Sequence, residues 1–480
     1  MKKFFIFLTA LFVAASCTTD TEDSTTPPVE IEYLTGTIFS LSEFGQYCFP
    51  SGDTWEISDQ SATTADFEGI SAAIEYISRN DYSRQIEIEF TNMTEIPQYA
   101  IFGEELNSSS RNFAALVSIS APNATSIGAY AFEFCTLLES VDLPLVEIVG
   151  AAAFKDCISL EALELLSATE IGYSAFNGCT SMATLNIPLV ETIGMQAFRQ
   201  CSSLESVELA EVLTLGEAAF AYCTSMTELK APVVESIGAY AFCGAYMLSA
   251  LEIDVVEEIG DCAFASCDGL TSVVIPSSTL SIGAGVFSDC TSLTELIVES
   301  PNFILEDGIL YDAQRTIAIT ALLTVVEGEI TLADTVTELS ARTFYNCAMI
   351  TSVELPSVLV VSESAFAYCS SLTDVTLAAA TTLDTNAFYN CEIMTNFSAP
   401  YLTVIGERAF YNCDDLTEVY FATASGVMLE SIDVHAFDSA NVSDLNMYVG
   451  AANDEYVTYG DTLTVGDFSA EFLSVTVLEE

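Results

Sequence analysis

The chain has 480 residues, 51% of them hydrophobic, with 69 acidic against 11 basic side chains and a formal charge of −58. That length exceeds what one packed core usually serves, so several domains or a repeat array are expected. So acidic a surface repels nucleic-acid phosphate and anionic lipid headgroups, and favours solubility and cationic partners.

In chain order, Lys2 and Lys3 precede an apolar run from Phe4 to Ala15. As a helix this run is too short to cross a hydrocarbon core of about 30 Å. It ends in Ala14, Ala15, Ser16 and Cys17. The pattern resembles a bacterial lipobox, which implies cleavage before Cys17 and lipid attachment there. It departs from the commonest form in carrying Ala14 three residues before the cysteine, and ordinary cleavage after an Ala-x-Ser site competes with it. The expectation is a signal peptide over 1–16 and an acidic tether over 17–30, reading TTDTEDSTTPP from Thr18 to Pro28. Such a composition cannot pack. An acidic stretch just after the cysteine also resembles the surface-export signal of some Gram-negative lipoproteins.

Residues 31–115 read as an N-terminal α/β cap. Phe67, Ile70, Ile74 and Ile77 are spaced for an amphipathic helix, and Ile86, Ile88 and Phe90 alternate as a strand. Phe102 is expected as a degenerate first-repeat phenylalanine.

A repeat follows. Phe132, Phe154, Phe176, Phe198, Phe220, Phe242 and Phe264 recur at every twenty-second position, and Phe287 comes one position late. A second train runs Phe344, Phe366, Phe388 and Phe410 at the same interval, and Phe437 closes it five positions late. Most are preceded by alanine and followed three residues on by a cysteine, as at Cys157, Cys201 and Cys391. An aliphatic residue and then a glycine come before each turn, as at Ile171-Gly172 and Ile193-Gly194. Such a glycine serves either positive φ or close backbone approach. Ser340, Ser362, Asp384 and Asp433 replace it later, so positive φ is not required throughout.

After each cysteine the pattern L-x-x-V-x-L alternates as a short strand with one buried face, and a proline such as Pro144, Pro188 or Pro356 often ends it. One unit therefore reads as a strand, a turn and a compact Phe-centred segment of helical or 3₁₀ form. Stacked units bury a common core beside a parallel sheet. The trains span 116–299 and 336–440, separated over 300–335 by an insert with an Asp307-Gly308 hairpin signal. Residues 441–480, rich in Val, Thr and Tyr, read as a C-terminal β cap.

The pattern L-x-x-V-x-L-P…I-G-x-x-A-F-x-x-C, from about Leu116 to Asp438, resembles the BspA-like, Treponema-type leucine-rich repeats of bacterial surface proteins. The insert's PNFILEDGIL from Pro301 to Leu310 resembles the hairpin such proteins carry between repeats. The resemblance implies an α/β repeat solenoid and a binding or adhesion role. It says little about ligand.

The 15 cysteines would suggest disulfides in an exported protein. Equivalent residues on successive rungs lie about 4.8 Å apart and point the same way, whereas a bridge prefers a Cβ–Cβ distance of about 3.8 Å. The ladder therefore reads as small buried thiols. Cys48, Cys243 and Cys262 lie off it and are the candidates for pairing or reactivity.

Catalytic motifs are missing. The lone histidine, His435, falls at a variable repeat position and reads as a surface residue. No H-E-x-x-H, G-x-S-x-G, P-loop or complete EF-hand occurs, so neither enzyme chemistry nor a cofactor is expected. The variable columns carry what remains. Thr373, Thr395 and Thr417 belong to a threonine run beside the strands and Tyr420 to the strand column, while Tyr345, Tyr368, Tyr389 and Tyr411 follow their phenylalanines. Strand propensity competes with binding as the reason for the threonines, and packing between repeats competes with ligand stacking for the tyrosines.

The expected partner is an extracellular protein or glycan, with no nucleic acid, and with the membrane touched only through the lipid anchor. The expected location is the outer membrane or cell surface. Three readings stand: a non-enzymatic adhesion lipoprotein, a glycan-binding part of a surface nutrient-uptake system, or a structural envelope protein.

Overall fold

A computed structural model describes residues 38–39, 54–57, 85–101, 115–458, 462–465, 468–472 and 474–478. Cys17, Cys48, Phe102 and the helix expected around Phe67–Ile77 lie outside the described residues. The chain divides into two compact units, Met1–Val234 with Glu252–Asp254, and Glu235–Leu251 with Val255–Glu480.

In both units each repeat contributes two parallel strands, where the sequence reading expected one. In the first unit Ala162–Glu164 pairs with Thr184–Asn186, and Ser206–Glu208 with Glu228–Lys230. These are the L-x-x-V-x-L segments. The aliphatic column forms a second sheet of two-residue strands, with Glu170 beside Thr192 and Ile171 beside Ile193. In the second unit the corresponding strands are Asp374–Leu377, Asn396–Ala399 and Glu418–Phe421 in one sheet and Thr382–Leu383, Val404–Ile405 and Ser431–Ile432 in the other. In-register neighbours keep an apolar residue pointing inward, as Val375 beside Phe397 and Val207 beside Leu229, so the apolar columns become continuous cores.

The third side corrects the α/β assignment. The described residues contain no α-helix, and their only 3₁₀ helices are Val442–Asp444 and Ala451–Tyr456. The Phe-centred segment is a pair of tight turns. Its phenylalanine sits between two left-handed residues, as Phe198 does between Gln196 (φ 58°) and Gln200 (φ 63°), or Phe388 between Asn386 (φ 58°) and Asn390 (φ 59°). Left-handed backbone costs a non-glycine residue about 1–2 kcal/mol. It is offset because alternate amides then point along the stack: Gln196, Phe198 and Gln200 donate to the carbonyls of Glu217, Ala219 and Ala221, each at 2.8 Å. A helix would have turned those amides inward on its own chain.

This geometry aligns the rings. Phe154, Phe176, Phe198 and Phe220 stack at centroid distances of 5.2, 5.4 and 5.1 Å, with interplanar angles of at most 10°. The first described turn carries Ile101 in the phenylalanine place, since its amide donates to Ala131 as Phe132 donates to Ala153. The ladder cysteines are free and buried. Past the first cysteine of each train, Cys135 and Cys347, the thiols donate to the carbonyl of the phenylalanine one repeat earlier, as Cys201 does to Phe176 (3.3 Å) and Cys391 to Phe366 (3.1 Å). A cysteine is thus both filler and donor. The glycine column answers to close approach: a Cβ on Gly172 would stand 2.8 Å from the Val149 carbonyl oxygen, and its φ is not left-handed.

In the second unit Phe303–Glu306 and Ile309–Asp312 form an antiparallel hairpin. Its turn residues Asp307 and Gly308 have φ of 50° and 78°, the left-handed pair that a two-residue hairpin needs. Ile317–Ala321 then leads into the second sheet beside Glu338–Leu339. Past Phe437, Asn446–Gly450 and Ser474–Leu478 extend the first sheet in parallel, and Val457–Thr458, Thr462–Val465 and Phe468–Glu471 form an antiparallel meander.

Candidate interaction surface

The residues singled out from sequence fall on two separate faces of the second unit. Tyr345, Tyr389 and Tyr411 occupy the position after the core phenylalanine and Tyr368 the left-handed position one further on. The turn brings these two offsets into one row. Tyr345 meets Tyr368 edge-on at 5.4 Å, Tyr368 meets Tyr389 at 5.5 Å, and Tyr389 stacks on Tyr411 at 4.6 Å with planes 4° apart. Arg342, two residues before Phe344, lies 5.3 Å from the Tyr345 ring centroid and starts the row with a cation. Burial raises the phenols of Tyr345 and Tyr368 above their ordinary range, so both stay neutral donors at physiological pH.

The row carries both readings offered by the sequence. It packs between repeats, and it leaves polar edges at the surface. Tyr368 is 38% exposed and the other three are partly exposed. The Tyr389–Tyr411 pair has used a ring face of each partner on the other. The row therefore offers hydroxyls and ring edges more than open faces on which a sugar would lie. Asn390 and Asn412 occupy left-handed positions in the same turns, which asparagine tolerates well, and add amide groups to the surface.

The other face is the strand sheet. Thr373 donates its hydroxyl to the Thr351 carbonyl (3.0 Å), Thr395 to Thr373 and Thr417 to Thr395 (3.2 Å each). Thr395 and Thr417 direct their protons to the neighbouring rung, whereas Thr373 has the Asp374 carboxylate as a second acceptor at 2.6 Å, so the column supports the sheet. Tyr420 stacks on Tyr448 at 4.4 Å and its hydroxyl donates to Glu418 at 3.3 Å. Tyr448 was missed from sequence because it follows Tyr420 at an interval longer than the repeat. Arg342 was missed because its column changes residue type from repeat to repeat, from Gln196 to Ala218 to Ser364.

Elsewhere, His435 is exposed and its ring pairs with Asp438 at 2.9 Å. Cys243 and Cys262 are free thiols. Their pKa values lie above the ordinary thiol range because burial disfavours the thiolate. Among the described residues no group of three His, Cys, Asp or Glu side chains is set to hold a metal ion. In the first unit two cations sit on rings of the same turn side: Lys155 lies 5.1 Å from Phe134 and pairs with Glu133 at 2.7 Å, and Arg199 lies 5.3 Å from Tyr222.

Comparison with known proteins bears on this architecture. The family model described as a BspA type leucine rich repeat region matches in six copies, over residues 105–227, 191–316 and 337–451. Among solved structures, a leucine-rich repeat protein from Bacteroides ovatus is 22% identical, covering 76% of this chain and 92% of its own, with a TM-score of 0.43. A leucine rich cell surface protein from Faecalibacterium prausnitzii is 21% identical over 73% of this chain and 92% of its own, TM-score 0.47. The pneumococcal vaccine antigen PcpA is 15% identical over 77% and 79%, TM-score 0.43. No curated protein matches the sequence.

Proposed function

This chain belongs to the BspA-type leucine-rich-repeat family, and from that premise we propose that it is a non-enzymatic surface protein that binds an extracellular or host protein. The carrying observation is the tyrosine row Tyr345–Tyr368–Tyr389–Tyr411 with Arg342 at its start. Tyrosine and arginine are the residues that concentrate binding energy at protein interfaces. They sit on rigid turns, so little side-chain entropy is lost on binding. The spent ring faces favour a protein ligand over a glycan on this row. The Lys2–Cys17 pattern supports a lipid anchor at Cys17 on the outer membrane or cell surface.

A binding screen of the purified protein on an extracellular-matrix protein array tests the reading. The expected result is a ligand whose binding falls by at least about tenfold in a Tyr389→Ala/Tyr411→Ala variant. Binding indifferent to that change, or silence across the array, overturns it; silence favours a structural envelope role. Palmitate labelling should disappear in Cys17→Ser, and labelling that persists refutes the anchor.

A further inference from the structure

The last repeat is longer than the rest. Phe437 follows Phe410 five positions later than the repeat interval would place it. The strand registers locate the extra length: Phe421 still pairs with Ala399 at the standard interval, whereas Ile432 pairs with Ile405 at the longer one. The insertion is therefore the loop between Phe421 and Ser431. It is held in place from beneath. Asn453, fully buried, accepts from the Leu429 amide at 2.8 Å and donates to the Val427 carbonyl at 3.0 Å and to those of Ala422 and Gly450 at 3.4 Å. Gly426, with φ of 76°, sits in this loop with open space around it.

The loop walls a groove of about 540 Å³, lined among others by Tyr401, Tyr456, Thr381, Thr403, Met428 and Glu430. That is a size that suits a small ligand. Its threonines and glutamate supply acceptors, and the phenol hydroxyls of Tyr401 and Tyr456 can also donate. The hydroxyls of Thr381 and Thr403 donate to the carbonyls of Leu359 and Thr381, both at 3.3 Å, so toward the groove they present only lone pairs. Glu430 is an acceptor when ionised, and its amide is spent on Thr403 at 2.7 Å. Among the described residues no Lys or Arg lines the groove. Tyr401 is 49% exposed. It differs from the four tyrosines of the row, and from Tyr420 with Tyr448, in making no ring-to-ring contact among the described residues, so no aromatic neighbour covers its exposed half.

Acceptor oxygens beside a half-exposed aromatic ring, with no cation in the lining, fit a ligand that is rich in hydroxyl donors, carries a C–H face, and bears no negative charge. We propose that this groove is a subsite for one or two residues of a neutral or N-acetylated saccharide. A pyranose C–H face lies on Tyr401, and its hydroxyls donate to Glu430 and to the threonine oxygens. The site is separate from the tyrosine row and does not depend on what that row binds.

Isothermal titration of the purified protein with laminaritetraose, mannotetraose, di-N-acetylchitobiose, tetragalacturonate and pentalysine tests it. The expected result is binding of at least one of the three uncharged sugars. That binding should weaken at least about tenfold in Tyr401→Ala and in the isosteric Glu430→Gln, and should persist in Tyr389→Ala. Tetragalacturonate should not bind. No uncharged sugar bound at millimolar concentration, binding unaltered by both groove substitutions, or pentalysine bound in their place would each overturn the proposal. Because Tyr401 is half exposed and Glu430→Gln preserves shape, the two variants keep the fold testable together by an unchanged thermal transition.

Discussion

Replacing Phe198 by alanine puts the proposed core to a quantitative test. The side chain is fully buried and stacks on Phe176 at 5.4 Å and Phe220 at 5.1 Å. Truncating a buried phenylalanine costs about 3–5 kcal/mol in lost transfer energy and cavity. Two stacked neighbours place it at or beyond the top of that range, since each aromatic pair adds about 0.5–1.5 kcal/mol. The backbone offers little relief, because the Phe198 amide is tied to Ala219 and the Cys223 thiol donates to the Phe198 carbonyl. The expected loss is therefore about 4–6 kcal/mol, read from urea denaturation followed by far-ultraviolet circular dichroism. Because each repeat contacts only its neighbours, amide exchange should accelerate first in the turns around Phe176 and Phe220. A loss below about 1 kcal/mol would mean that the rings are not a close-packed column, and would refute the argument.

Two further outcomes follow from the same geometry. Burial pushes the thiols of Cys201, Cys290, Cys347 and Cys391 up to about 12 from an ordinary 9.0. A raised folded pKa means the native state holds protons that the unfolded chain releases, so stability is full below pH ~9 and is lost as pH climbs toward ~12, at up to about 1.4 kcal/mol per thiol per pH unit. Thermal melts should show this decline, and a Cys201→Ala/Cys391→Ala variant should show a shallower one; equal slopes would exclude the thiols as its source. Replacing Asn453 by alanine should cost about 2–3 kcal/mol, because it strands buried polar groups of the inserted loop. Hydrogen exchange should report the change over residues 422–430 while the preceding repeats stay protected.

The register of the core could be read from the chain alone. The columns of Ile171, Phe176, Cys179 and Val207 recur with the repeat because stacked coils must bury the same side chain at the same height. Family membership rested on those columns as well. The secondary structure of the Phe-centred segment was misread. Its Phe–Cys interval of three imitates a helical turn, and its left-handed residues include Gln196, Ala152 and Ser174, which carry no glycine signal. Their strain is met by hydrogen bonds to the next rung, and a partner one whole repeat away is invisible to local propensity. The same holds for the surface. Repeat spacing assigned Tyr389 and Tyr411 to one column, but only the turn geometry brings Tyr368, one position out of step, between Tyr345 and Tyr389. Likewise, the length of the last repeat was plain in the sequence, whereas the groove its extra residues wall off, and the Asn453 bonds that hold those residues, come from tertiary contacts.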